Sequence, residues 1–285
     1  MFSYIWRFIK RFAVLIPGII IAYFSVKDIY PWLDETLITP VAILVTYILA
    51  AYVLIPALIR LYRTVFPARH LPLYSVTPDG FASDPVNIAI IGTRSEIVQA
   101  MEKAGWYVAD KKTPQSLLKM CANALSNRPY RNAPMSSLYL FGRKQDIGFE
   151  LPIKGARNHR HHVRFWATTY DKTAPLTVES IHWHQQEYEK MTKKKLLWIG
   201  AASRDAGLTI IRHNGQMTHM MDPDTNAERK FIIDCLRGAG QTMDTTILKL
   251  DDPYGLTNRG WRASLHTDGN LHVISLGKPR ASKKL

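Results

Sequence analysis

The sequence predicts an α+β domain, with a mixed or antiparallel sheet and several packed helices, carried behind a two-helix N-terminal transmembrane hairpin. Three observations predict it. Two runs without charge, Phe12–Val26 and Thr36–Ile59, open the chain. From Val86 onward, helix-capping signals are interspersed with short β-rich runs. The formal net charge of +14 divides unevenly, with +4 on residues 1–70 and +10 on residues 71–285.

The second apolar run, 24 residues long, spans a hydrocarbon core of ~30 Å as a helix. The first, at 15 residues, needs help from Trp6, Phe8 and Ile9 before it and Ile29, Tyr30, Trp32 and Leu33 after it. These aromatics, with Tyr62, read as interfacial belts, and Pro17-Gly18 and Pro56 are tolerated in membrane helices. A basic start followed by an apolar run also suits a signal peptide, but no small-residue cleavage site precedes Lys27. Arg7, Lys10 and Arg11 precede the first run, and Arg60, Arg63 and Arg69 follow the second. The connector sets Lys27 against Asp28, Asp34 and Glu35, so both flanks are expected in the cytoplasm. Residues 1–66 thus form the hairpin, with helices over about 12–26 and 36–59.

Residues 67–83, punctuated by Pro67, Pro72, Pro78 and Asp79-Gly80, read as a linker, and the soluble domain as 84–277. Val86–Ile91 is a strand. Thr93-Arg94-Ser95-Glu96 is a capping box opening a helix with Ile97, Val98, Met101 and Ala104 inward. Gly92 between them is a plain strand-to-helix turn, since a lone glycine is no dinucleotide fingerprint. Trp106–Val108 reads as a strand, and Thr113-Pro114 caps a helix to about Leu125. Strands follow at Leu138–Phe141, Ile147–Leu151, Arg157–Tyr170 and Val178–Trp183. Gln185–Lys195 is a polar helix, and Leu196–Ala202 and Leu208–Arg212 form a hairpin across Ser203–Gly207. Met217–Met221 is a further strand. Asp222 caps a helix to about Arg237, with Pro223 in its first position. Thr245–Leu250, Trp261–His266 and Leu271–Leu276 close the domain, the last two as a hairpin. Residues 278–285 are a basic tail. Cys121 and Cys235 fall at apolar helix positions, as reduced core residues do.

Candidate chemistry centres on Arg157–Trp166. As a strand it sends His161, Val163, Phe165 and Ala167 to a core face and Arg160, His162, Arg164 and Trp166 to the other, neighbours being about 6.6 Å apart. That second face is a cationic row suited to a phosphate, and equally a row of arginines paired with nearby acids. A second constellation, His162, Arg164, Asp205, His219 and Asp222, offers two imidazoles and two carboxylates as an acid/base set, with His219 and Asp222 as ligands for a divalent metal. His182-Trp183-His184 reads as an exposed pair. The calcium-loop start at Asp222-Pro223-Asp224 fails, because Ala227 and Ile233 replace the glycine and glutamate it requires. No G-x-S-x-G, H-E-x-x-H, P-loop or C-x-x-C pattern occurs.

The stretches Pro85-Val86-Asn87, Gly105-Trp106, Tyr139-Leu140-Phe141-Gly142-Arg143 with Gln145-Asp146, and His161-His162-Val163-Arg164-Phe165-Trp166 occur in that order. Trp198-Ile199-Gly200-Ala201 with Asp205, Thr218-His219 with Asp222-Pro223-Asp224, and Ala227-Glu228-Arg229 follow them. Over about Pro85–Leu236 this resembles the LssY C-terminal domain of bacterial membrane proteins. The resemblance implies a bacterial inner-membrane location and a setting in envelope lipid handling or secretion, and the loop charges put both termini and the soluble domain in the cytoplasm. Longer members look like fusions to lipid-phosphatase domains, but the P-S-G-H signature is missing here, so that activity does not carry over. Asn226 stands where an acidic residue is expected.

The leading expectation is a membrane-anchored domain binding an anionic, phosphate-bearing ligand, a lipid headgroup or nucleotide, through Arg143, Arg160, His162, Arg164 and Trp166. Against it stand a metal-assisted phosphoesterase or other hydrolase using His162, Asp205, His219 and Asp222, and a non-catalytic scaffold with protein partners in the membrane. Nucleic-acid binding is not expected, for no reading motif is present.

Overall fold

Arg160–Tyr170 (β7) forms the strand its alternation predicts and lies between Ile147–Pro152 (β6) and Leu196–Ile210 (β9), antiparallel to both. The structure, a computed structural model, describes residues 19–54, 57–58, 61, 71–78, 82–125, 130–153, 159–183, 193–210, 217–257 and 264–277. It divides into two units: 1–68 with 76–81, and 69–75 with 82–285.

In the first unit, helix runs over 19–34 and over 39–54, with π-helical turns at Ser25–Ile29 and Leu49–Leu54. Each π turn contains the residue four before a proline, Lys27 before Pro31 and Tyr52 before Pro56, where the ring would strike the carbonyl of a regular α-helix. The expected transmembrane hairpin is therefore not found as two long α-helices. No helix among the described residues is long and apolar enough to cross a membrane. Residues 12–18, 55–56 and 59–60 lie outside the description.

The second unit is α+β, as expected. Its large sheet runs β3-β6-β7-β9-β2-β1-β4-β5, where β1 is Tyr74–Val76, β2 Ala82–Gly92, β3 Tyr107–Val108, β4 Tyr139–Leu140 and β5 Arg143–Lys144. Ile181–His182 (β8) pairs with β7, and Met217–Met221 (β10) with β9. Met243–Lys249 (β11) pairs with Asn270–Leu276 (β14), which joins β2 in parallel. Tyr254–Thr257 (β12) and Ser264–Thr267 (β13) pair with each other, so β13 and β14 are not the hairpin expected. β1 lies inside the stretch that reads as a linker. The basic tail and most of the polar stretch 185–195 fall outside the described residues.

Helices Arg94–Lys103 (α1) and Thr225–Gly238 (α3) cover one sheet face, and Pro114–Leu125 (α2) follows β3. The Thr93 capping box is formed in both directions: Glu96 N–H donates to Thr93 Oγ1 at 3.2 Å and Thr93 N–H to Glu96 Oε2 at 2.8 Å. Ile97 and Met101 from α1 and Ile232 and Leu236 from α3 meet Ile88, Ile90, Val163, Phe165 and Trp198 in one core. Val86, Ala89, Trp166, Leu197 and Ile199 build a second core on the opposite face. Gly200 marks the closest approach in the first core: a β-carbon there would fall 2.5 Å from the Phe165 ring and 2.9 Å from Ile88.

Two local expectations are corrected. Ser203–Gly207 is no turn but the middle of β9, and Asp205 is a strand residue. Its polar composition reads as a loop, yet cross-strand pairs such as His162↔Ser203 and His161↔Arg204 hold it extended. The N-cap of α3 is Asp224, not Asp222: its carboxylate accepts from Asn226 N–H and Ala227 N–H at 3.1 and 2.9 Å. Asp222 instead accepts from Asp224 N–H at 3.0 Å, one step ahead of the helix.

Candidate functional site

The face of β7 opposite α1 and α3 carries Arg160, His162 and Arg164, as the alternation requires, and neighbouring strands bring acids to it. Glu150 is directly across β6 from His162, and Ser203 directly across β9, with Asp205 two residues on along the same face. Asp84 arrives through an irregularity in β2. The register shifts between Val86 and Ile88, so Val86 and Asp84 face this side while Ile88 and Ile90 enter the α-helical core. Buried Asn87 fills the gap, donating to Ala202 O and Thr225 O, both at 3.1 Å, and accepting from Ala202 N–H at 3.0 Å.

The predicted cationic row is thus closed by ion pairs. Arg164 Nη1 donates to Asp84 Oδ2 at 2.7 Å, and Arg160 Nη1 to Glu150 Oε2 at 2.7 Å. Arg143 pairs with Asp146 at 2.5 Å and also donates to Ala167 O. Trp166 is fully buried, its Nε1–H given to Arg143 O at 3.1 Å. Arg164 and Asp84 are 6% and 1% exposed, so this pair belongs to the interior.

His162 is where the two predicted constellations overlap. Its Nε2 lies 2.7 Å from Ser203 Oγ, and its Nδ1 lies 3.6 Å from Asp205 Oδ1. Ser203 also hydrogen-bonds Asp84, accepting from His162 Nε2–H while giving its own proton to the carboxylate. Three carboxyls (Asp84, Glu150, Asp205) face two arginines, one carboxyl more than the guanidinium charges offset. Burial pushes the Asp205 carboxyl up to about 7, with Arg164 pulling down and Asp84 pushing up. Asp84 and Glu150 are likewise raised by burial, against the pull of their arginines.

Asp222 does not join this cluster. Its carboxylate is 4.0 Å from Arg204, and Arg204 pairs with His161 on the opposite sheet face. His219 lies on β10 opposite Leu208, and its side chain is outside the description. Among the described residues no group of three His, Cys, Asp or Glu side chains is placed to hold a metal ion.

Sequence reasoning missed four functional candidates. Asp84 and Ser203 read as a domain boundary and a turn. His161 reads as a core residue, yet its Nδ1 is 2.8 Å from Glu228 Oε2 on α3 and its ring stacks on Phe231 at 4.1 Å. The visible signal was the alternation of Ala201, Ser203 and Asp205, of which Ala201 and Ser203 stand opposite Arg164 and His162. The fourth is Lys112, before α2. Exposed by surface area, its ammonium is nonetheless held below the usual lysine range by partial burial first, then by the positive charges of Lys144 and Arg164.

A family model described as LssY C-terminus matches residues 68–271. No curated protein and no solved structure matches the chain.

Proposed function

The chain belongs to the LssY C-terminal family, and from that premise we propose that it is a membrane-anchored domain binding an anionic, phosphate-bearing ligand. The observation that carries the ligand is at Lys112, an exposed lysine that meets no acid in an ion pair among the described residues; partial burial first, then the charges of Lys144 and Arg164, hold its ammonium below the usual lysine range. An anion beside Lys112 would offset both the burial and the neighbouring positive charge, as Asp84 does for Arg164. The residues that would meet the ligand are then the exposed Lys112 and Lys144, with Arg164 buried behind them. Anchoring is supported by the first unit, where fifteen of the twenty large apolar side chains exposed among the described residues lie between Ile19 and Leu61. Ile38, Val26 and Trp32 are 73%, 69% and 65% exposed, which calls for a lipid or protein cover.

Lys112→Ala and Lys144→Ala each remove an exposed lysine, so folding is expected to hold. Each is expected to weaken binding of the full chain to vesicles containing phosphatidic acid, or to inorganic phosphate, by tenfold or more. This follows from ~1.5–3 kcal/mol for a charge-assisted contact. Lys194→Ala, at another exposed site, changes it little. Equal losses for all three indicate a diffuse positive surface and end the case for a site.

Hydrolysis is the second reading, favoured by His162 standing between Ser203 and Asp205. Ser203 is fully buried, however, and both nitrogens of His162 face neighbouring polar groups.

A further inference from the structure

His161 and His162 are consecutive, so β7 points them to opposite sides of the sheet, and each meets a buried carboxyl. The two imidazoles differ in what remains available. His161 gives one nitrogen to Glu228, Nδ1 to Oε2 at 2.8 Å, and its Nε2 hydrogen-bonds no described group. Its side chain is 13% exposed and Glu228 only 3%. Phe231 stacks on the ring at 4.1 Å and Trp106 meets its edge at 6.3 Å, so the ring is fixed. Glu228 Oε1 is buried with no hydrogen-bond partner. A buried oxygen left open in this way marks a site whose other occupant is a proton, a water or a ligand. Arg204, directly across β9 from His161, shares this face and is held only loosely, 4.0 Å from Asp222, with its side chain 44% exposed.

We propose that His161 and Glu228 form a proton-transfer dyad for hydrolysis of a phosphoester, with Arg204 holding the phosphoryl oxygens. This rests on the reading that the ligand carries phosphate, while the site itself is built from His161, Glu228 and Arg204 and not from Lys112. With the Nδ1 proton held toward the Glu228 carboxylate, the Nε2 lone pair takes a proton from water as the water oxygen bonds to phosphorus. The bond from phosphorus to the leaving oxygen breaks, and His161 returns the proton to that oxygen. The balance is ester plus water to phosphate and alcohol, with no other reactant. His161 is the catalytic group. Glu228 is a positioning residue acting through the ring, and Arg204 supplies the planar pair of donors that a phosphoryl group accepts. Burial raises the Glu228 carboxyl, opposed by its hydrogen bond to His161.

The test is release of p-nitrophenolate from p-nitrophenyl phosphate and bis(p-nitrophenyl) phosphate by the full chain in detergent. His161→Gln is expected to lower kcat by about 10²–10⁴-fold. Glu228→Gln keeps the side-chain shape and is expected to lower kcat at least about tenfold with KM unchanged, whereas Arg204→Ala raises KM. If His161→Gln does not fold, Glu228→Gln decides alone. Turnover by the unsubstituted chain no faster than by His161→Gln, or unchanged kcat in Glu228→Gln, overturns the dyad. Loss of the Lys112 effect on vesicle binding with His161-dependent turnover intact overturns only the vesicle-binding surface. Vesicle binding that depends on Lys112 without any turnover overturns only the dyad.

Discussion

Arg164→Ala is expected to destabilise the soluble domain by ~3–5 kcal/mol, because it leaves the Asp84 carboxyl buried without its cation. In a domain of this size that corresponds to a fall in melting temperature of about 6–20 °C. Lys194→Ala, on the surface, should stay within ~0.5 kcal/mol of the starting chain. The explanation is specific, so it has a rescue. Replacing both partners, Asp84→Asn with Arg164→Met, removes the stranded charge and should recover most of the loss. A double variant as unstable as Arg164→Ala places the damage in packing rather than in the ion pair. The same result bears on function, since weaker ligand binding by Arg164→Ala reports a damaged interior unless its melting transition is normal.

The second large effect is a dependence of stability on pH set by Asp205. Its folded carboxyl is pushed up to about 7 from an ordinary value of 3.8. The folded chain therefore holds a proton that the unfolded chain releases, and the resulting stability is full below 3.8 and lost as pH rises through about 7. Asp84, Glu150 and Glu228 are raised in the same direction, so their contributions have the same sign. The full chain in detergent is expected to melt at a higher temperature near pH 5 than near pH 8. Asp205→Asn, neutral at every pH, should flatten that difference. A melting temperature that climbs from pH 5 to pH 8, or a slope untouched by Asp205→Asn, shows the carboxyls ionised in the folded cluster.

Local signals read well from the sequence where one segment decides its own structure. Thr93 and Glu96 close their capping box within four residues, and the alternation in β7 sorts Val163 and Phe165 from His162 and Arg164 without reference to any other strand. The two faces are legible in this way, but their partners are not. Asp84 reaches Arg164 across 80 residues, and only because a shift of register in β2 turns it toward that face. Glu228 reaches His161 across 67 residues from a helix. A polar stretch such as Ser203–Gly207 reads as a turn when its hydrogen-bonding partners are unknown, and as strand once His162 stands opposite Ser203. The chain between Thr36 and Ile59 reads as one apolar helix, whereas the structure widens it into a π turn ahead of Pro56. The α3 cap falls two residues later than the sequence indicates, because Asp222 and Asp224 both suit the position and Pro223 stands between them.

A membrane-held domain is the central claim, and alkaline carbonate extraction of membranes from cells expressing the full chain tests it most directly. The exposed apolar side chains between Ile19 and Leu61 predict that the chain stays in the pelleted membrane at high pH and is released only by detergent. Recovery of folded, monomeric chain in the carbonate supernatant would contradict it.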